Sequence, residues 1–352
     1  MLGNEVVDFR EGEKRGDPPK NSTCMSASQH CILSVGMNQI NTCCADCGVE
    51  GGVSLKTCKS CMQVKYCNAA CQKNHWPTHK DVCKRRAAEI RNEALCKDPP
   101  PKEDCPICFL PMPEKLINCV SLPPATISSV PIRDFAIANE ELADEDTEEY
   151  YPCCGKNICR GCVHSFSESG NDDKCPFCNS DRASKTDEEK FGEVMKRVAA
   201  NDAASIYLLA GFYYQGRHGL QRDRAKAMEL YGRAADLGCS QAHHNMADFY
   251  YVGGYMKKAK FHFEAAAMAG HEIARCNLGV MEVKSGNMEL AVKHWTISAS
   301  GGCYQSMHHL RESFEEGYVS RESINSTLTG YNNSCAEVRS EARDAYLRAF
   351  LE

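Results

Sequence analysis

Cysteine is the residue that most constrains this chain, because 24 of its 352 residues are cysteines and their placement is uneven. Eight lie between residues 43 and 83, nine between residues 105 and 178, and seven over all other positions. The first residues lack the apolar core of a secretory signal peptide, so we expect reduced thiols inside a cell. Reduced cysteines at short, regular spacings favour metal binding over disulfides. Two cysteine-rich metal modules and one ordinary core are therefore predicted.

Charge and hydropathy exclude several classes of protein. No apolar run approaches the roughly 18 residues that a membrane-spanning helix needs. The net charge of -6 gives no general attraction to nucleic acid. We therefore expect an intracellular protein, cytoplasmic or nuclear and not secreted, whose partners are other proteins or peptides rather than nucleic acid or membrane.

The first cysteine block contains eight metal-binding side chains in four pairs. In two pairs the cysteines stand two residues apart, and such a turn places both thiolates on one ion. In the other two pairs the side chains are one helical turn apart, so they share a helix face. Four pairs fill two closed tetrahedral sites, which indicates structural rather than hydrolytic zinc. The pairs are Cys44 with Cys47, Cys58 with Cys61, Cys67 with Cys71, and His79 with Cys83.

This spacing, with Tyr66 before Cys67 and a His75-Trp76 stretch, resembles the MYND zinc finger over residues 43–83. The resemblance implies two interleaved zinc ions and the docking of short, often proline-containing peptides. It leaves Cys43 and His75 as neighbours rather than ligands, with Trp76 packed beside the second ion. One ion would be held by Cys44, Cys47, Cys67 and Cys71, and the other by Cys58, Cys61, His79 and Cys83.

The second block, residues 105–178, again arranges eight cysteines in four pairs. Its two Cys-Pro-x-Cys turns and the glycine after Cys154 resemble a RING finger of the all-cysteine kind. Lys156 stands where that family has a histidine ligand, and His164 is a reserve ligand. A zinc ribbon-like structural module is the alternative interpretation. The resemblance implies two further zinc ions, one held by Cys105, Cys108, Cys159 and Cys162, the other by Cys153, Cys154, Cys175 and Cys178.

A RING finger implies recruitment of a ubiquitin-conjugating enzyme. Ile107 and Pro176 match the family's docking surface for that enzyme. Asn179 stands where the family often has a basic residue that holds the conjugated ubiquitin, so weak or absent activity stays open.

An internal repeat begins after residue 203. The segment 209–214 matches 246–251, which lies 37 residues later, and an alanine-rich segment ending in glycine recurs at 234–238 and 266–270. Each unit predicts two antiparallel helices, and repeats of this kind need capped ends. The signature resembles Sel1-like repeats, which are related to tetratricopeptide repeats and imply a concave protein-binding surface. We expect these repeats over residues 204–350, with a last helix from about 336 covering the open end.

The remaining segments connect these modules. We expect a disordered tail at residues 1–42. Residues 84–104 are expected to form a helix, from about Lys84 to Cys96, followed by a proline-rich linker. Residues 179–203 are expected to be a linker or a helix. An acidic insert lies inside the second block at 140–149 and predicts a solvated loop. The repeat histidines, among them His262 and His294, are expected in the core or on the surface rather than as ligands.

The predicted fold class is a set of small zinc-stabilised cross-brace modules followed by an all-α helical-repeat solenoid. The first hypothesis for function is a zinc-binding adaptor whose finger and repeats dock partner proteins. The second is a RING-type ubiquitin ligase that uses the repeats to hold its substrate. A zinc hydrolase or a methyltransferase is disfavoured, because we find neither an open metal site nor a separate catalytic domain.

Overall fold

A computed structural model describes residues 43–49, 54–112 and 148–351. The chain divides into two compact units, one ending at Asn92 and the other beginning at Glu93. The predicted tail at 1–42 and most of the acidic insert lie outside the described residues. Cysteine-rich modules followed by a series of packed helices confirm the predicted fold class.

The first unit is built from a short β-hairpin and the start of a long helix. Strand β1 (Lys56–Thr57) pairs antiparallel with β2 (Lys65–Tyr66), and helix α1 runs from Ala69 to Leu95. The sequence predicted a helix beginning at about Lys84. Instead, one helix continues through Cys83, because no residue between there and Leu95 breaks it and prolines return only at 99.

The second cysteine-rich module opens the second unit. Strand β3 (Glu148–Tyr151) pairs antiparallel with β4 (Lys156–Cys159), and helix α2 (Arg160–Glu168) follows directly. The turn between the strands is tight: the amide of Gly155 donates to the carbonyl oxygen of Tyr151 at 2.7 Å. Gly155 has a φ of +68°, a conformation that glycine adopts without strain.

Helices make up the rest of the chain. A first helix, α3, is followed by four consecutive pairs and a final helix, α12. The bounds are α3 Asp187–Ala199, α4 Ala203–Gln215, α5 Arg224–Asp236, α6 Ser240–Val252, α7 Met256–Met268, α8 Glu272–Lys284, α9 Met288–Ser300, α10 Tyr304–Glu315, α11 Arg321–Glu337 and α12 Glu341–Leu351.

Local capping explains several helix ends. The carboxylate of Asp223 accepts a hydrogen bond from the Lys226 amide at the start of α5, as its position predicts. Asn287 lies at the N-cap position of α9, but its side chain instead donates to Glu282. Glycines with positive φ follow α5, α7 and α9, which closes the second helix of the first three pairs in the same way.

Small residues let the helices of the array approach closely. Ala234, Ala266 and Ala299 are each fully buried. At Gly279 in α8, an added Cβ would lie 2.3 Å from the indole nitrogen of Trp295 in α9, so a larger side chain has no room. That nitrogen donates to the carbonyl oxygen of Cys276 at 3.2 Å. The alanine and glycine positions of the repeat are therefore packing positions.

Helix α3 is part of the array rather than a linker. It begins with a capping box between Thr186 and Glu189. Its Val194 and Val198 are buried in one cluster with Ile206 and Leu209 of the first pair. The amphipathic face of α3 is buried against α4, which a linker would not require.

The segment after α1 also lies on the array. The Lys102 ammonium pairs with a carboxylate oxygen of Glu272 at 2.7 Å and donates to the carbonyl oxygen of Gly301 at 2.9 Å. Pro100 packs against Gly270, and the Arg275 guanidinium donates to the carbonyl oxygen of Leu95. The proline-rich stretch is thus held along the loops that precede α8 and α10.

The last helix does not simply cap the final pair. It begins at Glu341 rather than at 336, and it packs against α2 of the second cysteine-rich module. The same module also contacts the start of the array, where the Tyr150 hydroxyl lies 2.7 Å from the Ser205 hydroxyl. The second module therefore contacts both the first and the last helices of the array.

The repeat histidines lie inside the array. His294 is 1% exposed, and burial lowers its pKa to about 4. Burial also lowers the pKa of His262 to about 4, and its Nδ1 lies 3.0 Å from Nδ1 of His243. These are neutral packing residues at pH 7.

Candidate metal centres

Four of the five Cys-x-x-Cys pairs share one backbone turn, whereas Cys162 of the fifth pair, Cys159 with Cys162, lies in helix α2. In each of the four, the amide after the second cysteine donates to the carbonyl oxygen of the first cysteine at 2.9–3.0 Å. The donating residue has a positive φ, between +55° and +69°. For a residue other than glycine this conformation costs about 1–2 kcal/mol, which a bound ion would have to offset. The residues in the left-handed position are Gly48, Met62, Phe109 and Asn179.

The first group joins a turn, a strand end and a helix. Cys44 and Cys47 come from the first turn, Cys67 follows β2, and Cys71 lies in the first turn of α1. The sulfur of Cys67 lies 3.6 Å from that of Cys47 and 3.5 Å from that of Cys71. Asn68 accepts a hydrogen bond from the Cys71 amide, which fixes the start of the helix.

The second group is fully buried and includes the one histidine. Cys58 and Cys61 come from the turn before β2, and His79 and Cys83 lie one helical turn apart on α1. The Cys58 and Cys83 sulfurs are 3.7 Å apart, and His79 Nε2 is 3.3 Å from the Cys61 sulfur.

The neighbours of the second group are also in place. The ring of His75 stacks on that of His79 with centroids 5.4 Å apart, and its Nδ1 lies 2.9 Å from the Tyr66 hydroxyl. Trp76 meets His79 edge-on at 6.5 Å, but 41% of Trp76 stays exposed. Trp76 therefore has a free face as well as the packing role that the sequence predicted.

The third and fourth groups interleave along the second module. In the third group, the sulfurs of Cys105 and Cys162 are 3.9 Å apart, as are those of Cys108 and Cys159. In the fourth, Cys154 lies 3.8 Å from Cys175, and Cys153 lies 3.5 Å from Cys178.

Adjacent cysteines reach one centre because the chain turns sharply there. The amides of Cys154 and Gly155 both donate to the carbonyl oxygen of Tyr151. Arg197 of α3 donates to the carbonyl oxygens of Pro152 and Cys153 and supports the turn from outside. The two neighbouring thiols then contact different partners within the fourth group.

Two residues considered from the sequence lie outside the groups. The Lys156 ammonium lies 5.7 Å from the ring centroid of Phe177, in a cation–π contact. The His164 ring packs edge-on against Tyr346 of α12 at 6.0 Å. The four cysteines of its neighbouring group lie together without His164, and its role as a reserve ligand stays a prediction.

The donor sets fit zinc. With Zn–S bonds of about 2.3 Å, a tetrahedron has sulfur–sulfur edges of about 3.8 Å. The contacting sulfur pairs in the four groups are 3.5 to 3.9 Å apart. The donor atoms of each group lie within 4.8 Å of one another, so each of the four groups could hold a metal ion. The groups have the same members as the two family resemblances imply.

Thiol acidity supports the same interpretation. In the second group, burial raises the pKa of Cys58, but hydrogen bonds from the backbone of Cys61 and Ser60 outweigh burial and lower it. Burial and hydrogen bonds with Cys58 and Cys61 raise the pKa of Cys83 to about 12. Crowded thiols therefore lose their first protons easily and keep their last ones, unless a cation offsets the negative charge.

One contact to the third group was missed in the sequence. Nε of Arg343 in α12 lies 3.4 Å from the Cys159 sulfur, and Nη2 lies 3.6 Å from the Cys108 sulfur. The local sequence around Arg343 is an ordinary charged helix, so no signal in it could have shown this contact.

One further group of possible ligands lies on α10. His308, His309 and Glu312 bring their donor atoms within 4.8 Å of one another. All three are partly or well exposed, and the His309 ring stacks on Trp295 at 4.7 Å. Contacts between neighbours on one helix account for this group.

Comparison with known proteins identifies two parts of the chain. Residues 44–83 match the family model for the MYND finger. A protein of the fission yeast Schizosaccharomyces pombe, named SET domain and MYND-type zinc finger protein 6, is 36% identical over 64 residues. That match covers 18% of this chain and 13% of the yeast protein.

The remaining matches concern helical repeats. A putative sel1-like repeat-containing protein of Acanthamoeba polyphaga mimivirus is 27% identical over 38% of this chain and 26% of the viral protein. The Arabidopsis thaliana protein HRD3B, named an ERAD-associated E3 ubiquitin-protein ligase component, is 30% identical over 33% of this chain and 19% of its own. The chain thus matches about a quarter or less of the length of these relatives.

Solved structures with similar helices are more distant. A Sel1 repeat protein from Oxalobacter formigenes has a TM-score of 0.38 and 18% identity, over 59% of this chain and 77% of that protein. A protective antigen of uropathogenic Escherichia coli with an SLR fold has a TM-score of 0.35 and 20% identity, over 47% of this chain and 40% of that protein.

No helix among the described residues is both long and apolar enough to span a membrane. The chain contains a MYND finger at residues 44–83 and, in its second unit, an array of Sel1-like helical repeats.

Proposed function

We propose that this protein is a zinc-binding adaptor that docks one partner on its MYND finger and another on its repeats. The observation that carries the proposal is the presence of two kinds of protein-interaction module beside metal groups that each contain four donors. A zinc ion with four protein ligands has no position open for substrate, so zinc here would support folding. Two ions would belong to the finger and two to the second module.

The finger offers apolar side chains to a partner. Met62, Trp76 and Val82 are 64%, 41% and 44% exposed. Met62 lies in the left-handed position of its turn, next to Cys61. Exposed apolar groups on so small a module favour a peptide-binding role, and proline-containing peptides are the partners that the family resemblance implies.

The repeats offer cations over aromatic rings. The Arg224 guanidinium lies 5.8 Å from the ring centroid of Tyr214, and the Lys284 ammonium lies 4.8 Å from that of Tyr251. Tyr214 and Tyr251 occupy equivalent positions in two successive repeats. Lys258 similarly lies 5.1 Å from the centroid of Tyr250. A surface with this recurring chemistry favours acidic segments as the second kind of partner.

Peptide selection tests the finger's part of the proposal. The immobilised full chain is used to select from a displayed peptide library, and the selected peptides are then titrated against variants. We expect Trp76→Ala to weaken the affinity for peptides that bind the finger by about tenfold or more, because exposed aromatic anchors carry much of the binding free energy of an interface. Bound zinc should stay unchanged.

Gln72→Ala is the matched control, since it replaces an exposed polar side chain on the same helix. It should leave binding within about twofold of the parent. Equal binding by the Trp76 and Gln72 variants would show that the finger does not dock peptides through Trp76.

A RING-type ubiquitin ligase is the second candidate, favoured by the interleaving of the third and fourth groups. Ile107 packs against the core of the module, whereas Phe109 and Phe177 on its two turns are 76% and 48% exposed. Asn179 has a φ of +57°, a conformation that asparagine tolerates better than most residues. The turn geometry thus accounts for asparagine where the family often has a basic residue.

Ubiquitin transfer separates the two candidates. The purified chain is assayed with a panel of conjugating enzymes, alongside Ile107→Ala with its zinc content measured. Under the adaptor proposal, neither protein forms ubiquitin chains. If the parent forms ubiquitin chains and the zinc-loaded Ile107→Ala variant does not, the ligase would be the supported function and the adaptor proposal would be wrong.

A further inference from the structure

Arg343 is a buried cation without an acidic partner. Its side chain is 1% exposed and is the largest fully buried one in the described part of the chain. Within residues 43–49, 54–112 and 148–351, its guanidinium contacts backbone carbonyl oxygens and two sulfurs, and none of these partners is a carboxylate. A buried guanidinium is strongly unfavourable unless hydrogen bonds and a counter-charge compensate it. The surroundings of Arg343 must therefore supply both.

Backbone carbonyl groups satisfy part of the guanidinium. Nη1 donates to the carbonyl oxygen of Pro111 at 2.9 Å and to that of Val338 at 2.6 Å. Nη2 donates to the carbonyl oxygen of Leu110 at 3.4 Å. Two of these acceptors follow the first Cys-x-x-Cys turn of the second module, and the third is just past α11. Carbonyl groups supply hydrogen bonds but no net charge.

The remaining contacts go to sulfur. Nε reaches the Cys159 sulfur at 3.4 Å and Nη2 reaches the Cys108 sulfur at 3.6 Å. Both sulfurs belong to the third group, one from a turn and the other from the end of β4. Four thiolates on a Zn²⁺ ion carry a net charge of about -2, so this group, when loaded, supplies the counter-charge that Arg343 otherwise lacks.

The contact surface beside Arg343 is close and specific. In Gly161 of α2, an added Cβ would lie 2.7 Å from the Cα and backbone nitrogen of Arg343. The backbones of α2 and α12 therefore touch, and the guanidinium extends from that contact to the metal group. At the start of the array, Arg197 and Tyr150 make the separate contacts already described, next to the fourth group.

We propose that Arg343 couples metal binding in the third group to docking of α12, so that zinc in this group closes the end of the repeat array onto the second module. Zinc stabilises the thiolates, the thiolates compensate the guanidinium, and the guanidinium holds the last helix against α2. Loss of this zinc leaves Arg343 without counter-charge and releases α12. The inference rests on the zinc sites of the proposed function, and it adds a role for one ion in the shape of the array.

Amide hydrogen exchange of the full chain tests the coupling without substituting Arg343. Cys108→Ser removes a ligand from the third group, and Cys178→Ser removes one from the fourth. We expect Cys108→Ser to lower the protection of residues 341–351 at least tenfold, whereas Cys178→Ser leaves it within about twofold of the parent. Equal protection of α12 in the two variants, with zinc lost from each, would overturn the inference.

A second measurement tests the arginine itself. Arg343→Met keeps the length of the side chain and removes its charge, and Arg339→Met is the control at an exposed arginine near the same helix start. Replacing a group that contacts metal ligands typically weakens metal binding by about 10- to 100-fold. We expect one zinc ion to leave Arg343→Met about tenfold faster under a chelator, and Arg339→Met to match the parent.

The possible outcomes distinguish a failure of this inference from a failure of the proposed zinc sites. A parent chain that binds no zinc would overturn both. A parent with about four zinc ions, whose Arg343→Met variant releases them at the parent rate, would overturn only the coupling. If Arg343→Met does not fold, the comparison of Cys108→Ser with Cys178→Ser still decides.

Discussion

Replacing Cys61 with serine should unfold the MYND finger and lower the zinc content from about four ions per chain to about two. Cys61 is fully buried in the second group, beside His79. Among the described residues of the finger, the buried core consists almost entirely of the ligands themselves, with Tyr66 as the only buried large apolar residue among them. Zinc binding of this kind contributes about 10–16 kcal/mol to folding, so the finger has no other core to hold it together.

Metal analysis and hydrogen exchange measure this result. Protection of residues 54–83 should disappear, while the helical signal of the repeats stays. Cys43→Ser is the control, because Cys43 is buried in the same finger but lies outside both groups. It should retain all zinc. Full zinc in Cys61→Ser, or equal loss in both variants, would show that the second group is not a zinc site.

Trp295→Ala should destabilise the repeat array by about 3–5 kcal/mol, the usual range for removing a buried aromatic side chain. Trp295 is 4% exposed and fills the space that Gly279 leaves open. Its indole nitrogen also donates to a buried carbonyl group, which the variant leaves without that donor. The stability is lost because the variant leaves a cavity between α8 and α9 and removes a hydrogen bond.

Urea unfolding followed by helical circular dichroism measures the change. Phe261→Ala in α7 is the matched control, since it removes an aromatic side chain that is 52% exposed. Its cost should stay below about 1 kcal/mol. A similar loss in both variants would mean that Trp295 is not the packing residue that joins α8 to α9.

Much of this structure could be predicted from rules that act over a few residues. The spacing of Cys44 and Cys47, or of His79 and Cys83, is set by one turn of backbone, so local geometry alone pairs the side chains. The interleaved grouping came from resemblance to two families, and the structure brings together the same sets. The repeat was visible because equivalent residues recur at a constant separation. Metal binding by these sets stays a prediction.

Other features depend on which surfaces meet. The sequence left residues 179–203 open between a linker and a helix, and in the structure the apolar face of helix α3 is buried against the first repeat pair. The sequence also predicted a helix beginning at about Lys84, whereas α1 already begins at Ala69. Periodicity shows that a helix has an apolar face, but it does not show which neighbour covers that face.

Arg343 shows most clearly what could not be predicted from the sequence. The sequence by itself determined the candidate ligands and the order of the helices, because turn geometry and helical period act over a few residues. The contacts of Arg343 with Cys159 and Cys108 span 184 and 235 residues. Only the tertiary structure, by returning α12 to the second module, decided that a buried guanidinium would meet those sulfurs, since a counter-charge is found in space and not along the chain.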